Sequence, residues 1–141
     1  MKPFVLLRAA AIVAFLYALG HTYGMPWVPD KSPETLAIIQ SMTAHHFDAM
    51  GVQRSLQDFY VGFGISISIM MFALAVLLWL IAARARVDVA SMQPFIVVLL
   101  LAFVAKAIIA WMYFFAVPFA LSAIIALCLL AAWITARRAT H

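Results

Sequence analysis

Charge is scarce in this sequence. Nine Lys or Arg and five Asp or Glu make up only 10% of its 141 residues, while 68% are hydrophobic. A soluble domain carries about 25% charged and roughly 45–50% apolar residues. One small core cannot hide such an excess, so lipid is the solvent expected for much of the surface. Cysteine is nearly absent as well. Cys128 stands alone in an apolar run; this rules out an intramolecular disulfide and CxxC redox or zinc chemistry, and leaves a small packing side chain. Glutamate is represented by Glu34 alone. A chain this short predicts a single membrane domain, with any chemistry inside the spans or at their rim.

What charge there is lies in a pattern. The net charge is +4, but Lys2, Arg8, Arg84, Arg86, Arg137 and Arg138 fall at the ends of apolar runs. That distribution orients a membrane protein. No basic stretch interleaved with aromatic residues lies outside the apolar runs, so nucleic acid is not an expected partner.

Four runs are long enough to cross a bilayer, whose core of roughly 30 Å needs about 20 helical residues. We place them at about 4–23, 56–83, 94–115 and 118–136. The last two are split at Ala116-Val117-Pro118, because proline lacks a donor and restricts its predecessor. Residues 1–24 also have the layout of a signal peptide, and we read them as a retained helix. With the N-terminus inside, the cytoplasmic side collects the six basic residues named above. The outside holds Lys31 and Arg54, offset by Asp30, Glu34 and Asp48. Both termini are therefore expected in the cytoplasm of a bacterial cell, with the protein multi-pass in its inner membrane. The fold class is all-α, an integral membrane four-helix bundle.

The outer segment from Gly24 to Ser55 opens with Met25-Pro26-Trp27, placing a tryptophan at the interface. Ser32-Pro33-Glu34 then reads as N-cap, N1 proline and first-turn acid. This predicts an extra interfacial helix over about 33–50, closed by Gly51. Leu36, Ile39, Thr43, Phe47 and Met50 would share its apolar face.

A few polar residues could carry chemistry. Lys106 lies in the middle of the third span. A charge at that depth costs roughly 2.5–3.5 kcal/mol and normally faces the protein interior with a partner. An ammonium drawn out of water suits proton transfer or Schiff-base chemistry, although a lysine snorkelling to the interface is the plain alternative. Asp58 opens the second span and is the expected counter-charge, or simply a carboxylate favoured by the helix dipole. His21 ends the first span in Gly20-His21-Thr22-Tyr23-Gly24, where it could move protons or only bond a carbonyl. Lys106, Asp58 and His21 are the candidate catalytic residues.

Around them, Asp58, Gly62 and Ser66 repeat at spacing four, as do Tyr60, Gly64 and Ser68. Small residues at that spacing pack helices closely in lipid, or leave room for a ligand. Tyr23, Tyr60, Gly62, Gly64 and Trp111, with His46 from the outer helix, are the candidate ligand-binding residues. Trp27, Trp111, Tyr23, Tyr60 and Tyr113 also fit an aromatic belt. His45-His46 and Asp48 lack the i,i+4 pair of a helical metal motif, and no metal site is assigned. No cofactor is identified.

The segments Gly20-His21-Thr22-Tyr23-Gly24 and Arg54-Ser55-Leu56-Gln57-Asp58-Phe59-Tyr60-Val61-Gly62-Phe63-Gly64 resemble the signature of a group of small bacterial four-span membrane proteins. The resemblance covers the first half of the chain and implies a four-helix membrane fold without an activity. A looser architectural similarity is to sterol-isomerase-like (EXPERA) membrane proteins. Those use paired intramembrane glutamates, which this chain lacks.

Three functions remain open. The first binds, and in one form transforms, a lipophilic small molecule such as a quinone, isoprenoid or sterol-like lipid. It expects a cavity of a few hundred Å³ in the outer half of the bundle, with His21, Asp58 and Lys106 on its wall. The second is an accessory or structural subunit that packs on a partner or forms a homo-oligomer. The third is a small oligomeric transporter. Membrane lipid is the partner common to all three.

Overall fold

A computed structural model describes residues 2–24 and 31–139. Trp27, with Met25, Pro26 and Asp30, lies outside the described residues. Helix α1 (Pro3–Gly24) is followed by α2 (Pro33–Ala44), strands β1 (His46–Ala49) and β2 (Val52–Ser55), then α3 (Leu56–Arg84), α4 (Gln93–Tyr113) and α5 (Ala116–Ala139). Helices α1, α3, α4 and α5 are each long and apolar enough to cross a membrane. The chain is a multi-pass helical membrane protein.

The chain forms two compact units. One takes Met1–Ala18 and Met71–His141; the other is Leu19–Met70. The first unit holds the core. Leu7, Ala10, Ala14 and Ala18 line one face of α1, and Leu78 and Ala82 one face of α3. Ile96, Leu99 and Phe103 of α4 join them, as do Ile125, Leu129 and Ala132 of α5. Much of what lines this core is alanine. Small side chains let backbones approach closely, which is how helices gain contact energy in a solvent as apolar as they are. Leu101, Val98, Ile108 and Leu127 point the other way and are exposed, as lipid-facing residues should be.

The turn between α4 and α5 is Phe114-Phe115, two residues before the expected break. Phe114 leaves the helix in an extended conformation, with its N–H bonded to the Ala110 carbonyl. Pro118 then falls inside the first turn of α5, where the backbone N–H has no helical partner to lose.

In the second unit, α2 begins as expected. The Ser32 Oγ accepts from the Thr35 N–H, and Pro33 sits in the first turn. The helix stops at Ala44 rather than near Met50, because His45 turns to an extended conformation. His46–Ala49 then pairs antiparallel with Val52–Ser55, in the register His46↔Ser55, Phe47↔Arg54, Asp48↔Gln53 and Ala49↔Val52. Met50 and Gly51 form the two-residue loop with φ of 58° and 88°. Positive φ at both central residues is the hairpin turn whose twist matches its strands. Gly51 thus terminates nothing helical; it serves a turn, and its N–H donates to the Asp48 carboxylate. The fold is therefore helical with one short hairpin.

Candidate functional site

In the first unit, polar side chains meet where the sequence is most apolar. Lys106 lies eight residues before Phe114 and Ser122 seven after Phe115. On two helices joined by a two-residue turn, those counts place them at similar depth, about 10–12 Å from the turn. On α4, Leu99, Phe103, Ala107 and Ala110 form the buried stripe, and half-buried Lys106 sits at its edge. Its Nζ lies 5.0 Å from the centroid of the Tyr17 ring on α1. An ammonium within about 6 Å of a ring face is attracted by its quadrupole, more strongly once desolvated.

The rest of this cluster is incompletely paired. Among the described residues Lys106 has no hydrogen-bond acceptor and no carboxylate partner. Ser122 is completely buried. It lies beside the Tyr17 hydroxyl, yet its Oγ meets hydrogen-bond geometry with no described group. A buried hydroxyl without a partner costs about 1–3 kcal/mol. The arrangement can present an ammonium to an oxygen acceptor. Tyr17 and Ser122 were not among the residues expected to matter.

The second unit engages its polar residues in structure. Asp58 Oδ2 accepts from the Ser55 N–H at 2.8 Å, and Ser55 Oγ accepts from the Asp58 N–H at 3.1 Å. This reciprocal pair is a capping box, here with aspartate, that starts α3. His21 Nδ1 lies 3.0 Å from Ser68 Oγ, and Ser68 is buried. His46 Nδ1 bonds the Ala44 carbonyl at 3.1 Å. His21, Tyr23, His46, Asp58, Tyr60, Gly62 and Gly64 all belong to this unit, whereas Lys106 and Trp111 belong to the first.

Of the ligand-binding candidates, Tyr23, Tyr60 and Trp111 are exposed and Gly64 is buried. A Cβ added at Gly62 meets open space, so no close approach there requires glycine. Phe47 stacks against Phe59 at 5.4 Å and Phe59 against Phe63 at 6.0 Å, an aromatic row running from the hairpin onto α3.

Two open apolar grooves lie in the first unit. One, about 570 Å³, runs along α4 and α5 between Val104, Trp111, Phe119 and Leu127. The other, about 240 Å³, lies along α1 and α3. Lys106, Asp58 and His21 line neither groove. The α4–α5 groove is on the far side of α4, since Val104, Ile108 and Trp111 are rotated roughly 140–200° from Lys106 at 3.6 residues per turn.

No protein-family model, curated protein or solved structure matches the chain.

Proposed function

We propose that this membrane protein binds a lipophilic small molecule bearing an oxygen acceptor, of the quinone, isoprenoid or sterol-like class, at Lys106. The observation that carries this reading is the Lys106 ammonium over the Tyr17 ring, without an acceptor among the described residues. The fully buried Ser122 hydroxyl lies beside the same tyrosine and helps hold that ring in place. In this reading the ligand oxygen accepts from the half-buried Lys106 ammonium while its apolar body lies against the spans. Asp58, whose carboxylate starts a helix, and His21, which bonds Ser68, take no part in this binding. The basic residues at the helix ends support both termini facing the cytoplasm, which puts Lys106 in the outer half of the membrane.

Mass spectrometry of lipophilic molecules copurifying with the protein tests this. Wild type and Lys106→Arg should retain a common species that Lys106→Met loses. An empty wild type would instead favour the structural subunit.

A further inference from the structure

Arg8 sits five residues into α1, about 7.5 Å along the helix from Pro3. Its guanidinium lies 4.8 Å from the centre of the Trp79 ring on α3. The Nε is sealed from solvent and has no hydrogen-bond partner. Among the described residues no carboxylate or carbonyl accepts from the rest of the group. One turn deeper on the same seam the α1–α3 groove begins, lined by Ala11, Ile12, Phe15, Ala75, Val76 and Trp79. Residues 8, 11, 12 and 15 fall on one face of α1. Phe15 lines the far end, and its ring meets that of Phe72 edge to face at 5.7 Å.

The seam therefore has a cation at one end, an apolar groove of about 6 Å along α1, and an aromatic pair at the other. At about 240 Å³ the groove falls below the roughly 300–1,000 Å³ of pockets for drug-sized molecules. It suits a short stretch of one acyl chain better than a ring system. Charge complementarity fixes the sign of the head. The contacts of Arg8 with Trp79 and of Arg86 with Phe4 bring the start of α1 to the end of α3. The end of α5 lies at the same end of the unit, because α4 and α5 form a hairpin. Lys2, Arg8, Arg84, Arg86, Arg137 and Arg138 gather there against one described carboxylate, Asp88.

We propose that this α1–α3 seam binds one anionic phospholipid, its phosphate on Arg8 and one acyl chain in the groove. The proposal is independent of Lys106, which neither lines the groove nor contacts Arg8.

The test is native mass spectrometry of the full chain, delipidated in detergent. It is titrated with dioleoyl phosphatidylglycerol, dioleoylglycerol, which has the tails and no phosphate, or glycerol phosphate, which has the anion and no tail. Wild type should prefer phosphatidylglycerol over dioleoylglycerol by about tenfold, the worth of one charge-assisted contact. Arg8→Gln should erase that preference, while Lys2→Gln and Arg138→Gln keep it. Ile12→Trp, which fills the groove from an exposed wall and leaves Arg8 in place, should lower phosphatidylglycerol retention about as much. This second variant decides the matter if Arg8→Gln loses its helicity. Equal retention of the two lipids by wild type overturns the proposal, as does an undiminished preference in Arg8→Gln. A loss in Lys2→Gln as large as in Arg8→Gln would make the effect a diffuse surface charge. Equal binding of glycerol phosphate would make it a bare anion site.

Discussion

His21 Nδ1 and Ser68 Oγ lie 3.0 Å apart, joining residues 47 positions distant in sequence. Either tautomer closes the contact, with the ring N–H donating to the hydroxyl or the hydroxyl donating to a bare ring nitrogen. Within a membrane such bonds average about 0.6 kcal/mol, because the unfolded chain also finds partners. A double-mutant cycle of His21→Ala and Ser68→Ala, read by thermal unfolding in detergent, should return a coupling near that value. Strict additivity would show that the contact contributes nothing.

Ser122 offers a sharper test of the Lys106 cluster. If its hydroxyl serves only packing, Ser122→Ala removes an unsatisfied buried group and should raise stability by about 1 kcal/mol or leave it unchanged. Tyr17→Phe should preserve the stack under Lys106, whereas Tyr17→Leu should cost about 1–2 kcal/mol through the lost cation–π contact. Equal stability of the two Tyr17 variants would remove the ring from the account.

Gly62 tests whether the small-residue stripe of α3 is a packing surface. An added Cβ there meets open space, and alanine is favoured over glycine in a helix by about 1 kcal/mol. Gly62→Ala should therefore raise thermal stability slightly. A fall, or a changed cross-linking pattern, would reveal a second molecule or a second copy against that face.

Met50 holds a left-handed conformation with φ of 58°, which costs a side chain with a Cβ about 1–2 kcal/mol. Asn-Gly is the pair this turn favours. Met50→Asn should slow hydrogen exchange of the hairpin amides about fivefold, matching about 1 kcal/mol. Unchanged exchange would mean that the turn does not limit hairpin opening.

Asp88, between α3 and α4, carries a small pH signature. Hydrogen bonds from Ser91, its side chain first and its backbone N–H second, hold the Asp88 carboxyl below the ordinary carboxylate range. A folded pKa below the unfolded one contributes stability above the unfolded pKa, about 3.9. That contribution is lost as pH falls through the folded value. Carbon-13 titration should give a midpoint under about 3.9, rising partway towards it in Ser91→Ala. An unmoved midpoint would assign the shift elsewhere.

The spans were plain in the sequence because length and apolar run alone decide them. The need of Lys106 for company was equally plain, since a mid-span charge demands it. The identity of that company was not. Tyr17 lies 89 positions away on another helix, and only the packing of α1 against α4 reveals the pair. Ser122 was within reach, because counting residues from the α4–α5 turn places it level with Lys106. Ser55 and Asp58 carry the spacing of a capping box, so the carboxylate at the start of α3 serves that helix end, the plainer of the two roles its position allows. Gly51 misled for a physical reason, as a positive φ serves a helix end and a hairpin turn equally well.

The Phe114-Phe115 turn bears on how this protein is made. Two residues of extended chain span only about 7 Å, far short of a bilayer, so α4 cannot settle across the membrane with α5 left behind. The pair must insert as one hairpin, entering and leaving on the same side. The lysine in α4 then partitions alongside a second apolar helix, and its insertion penalty is shared by a two-span body rather than borne by a lone segment.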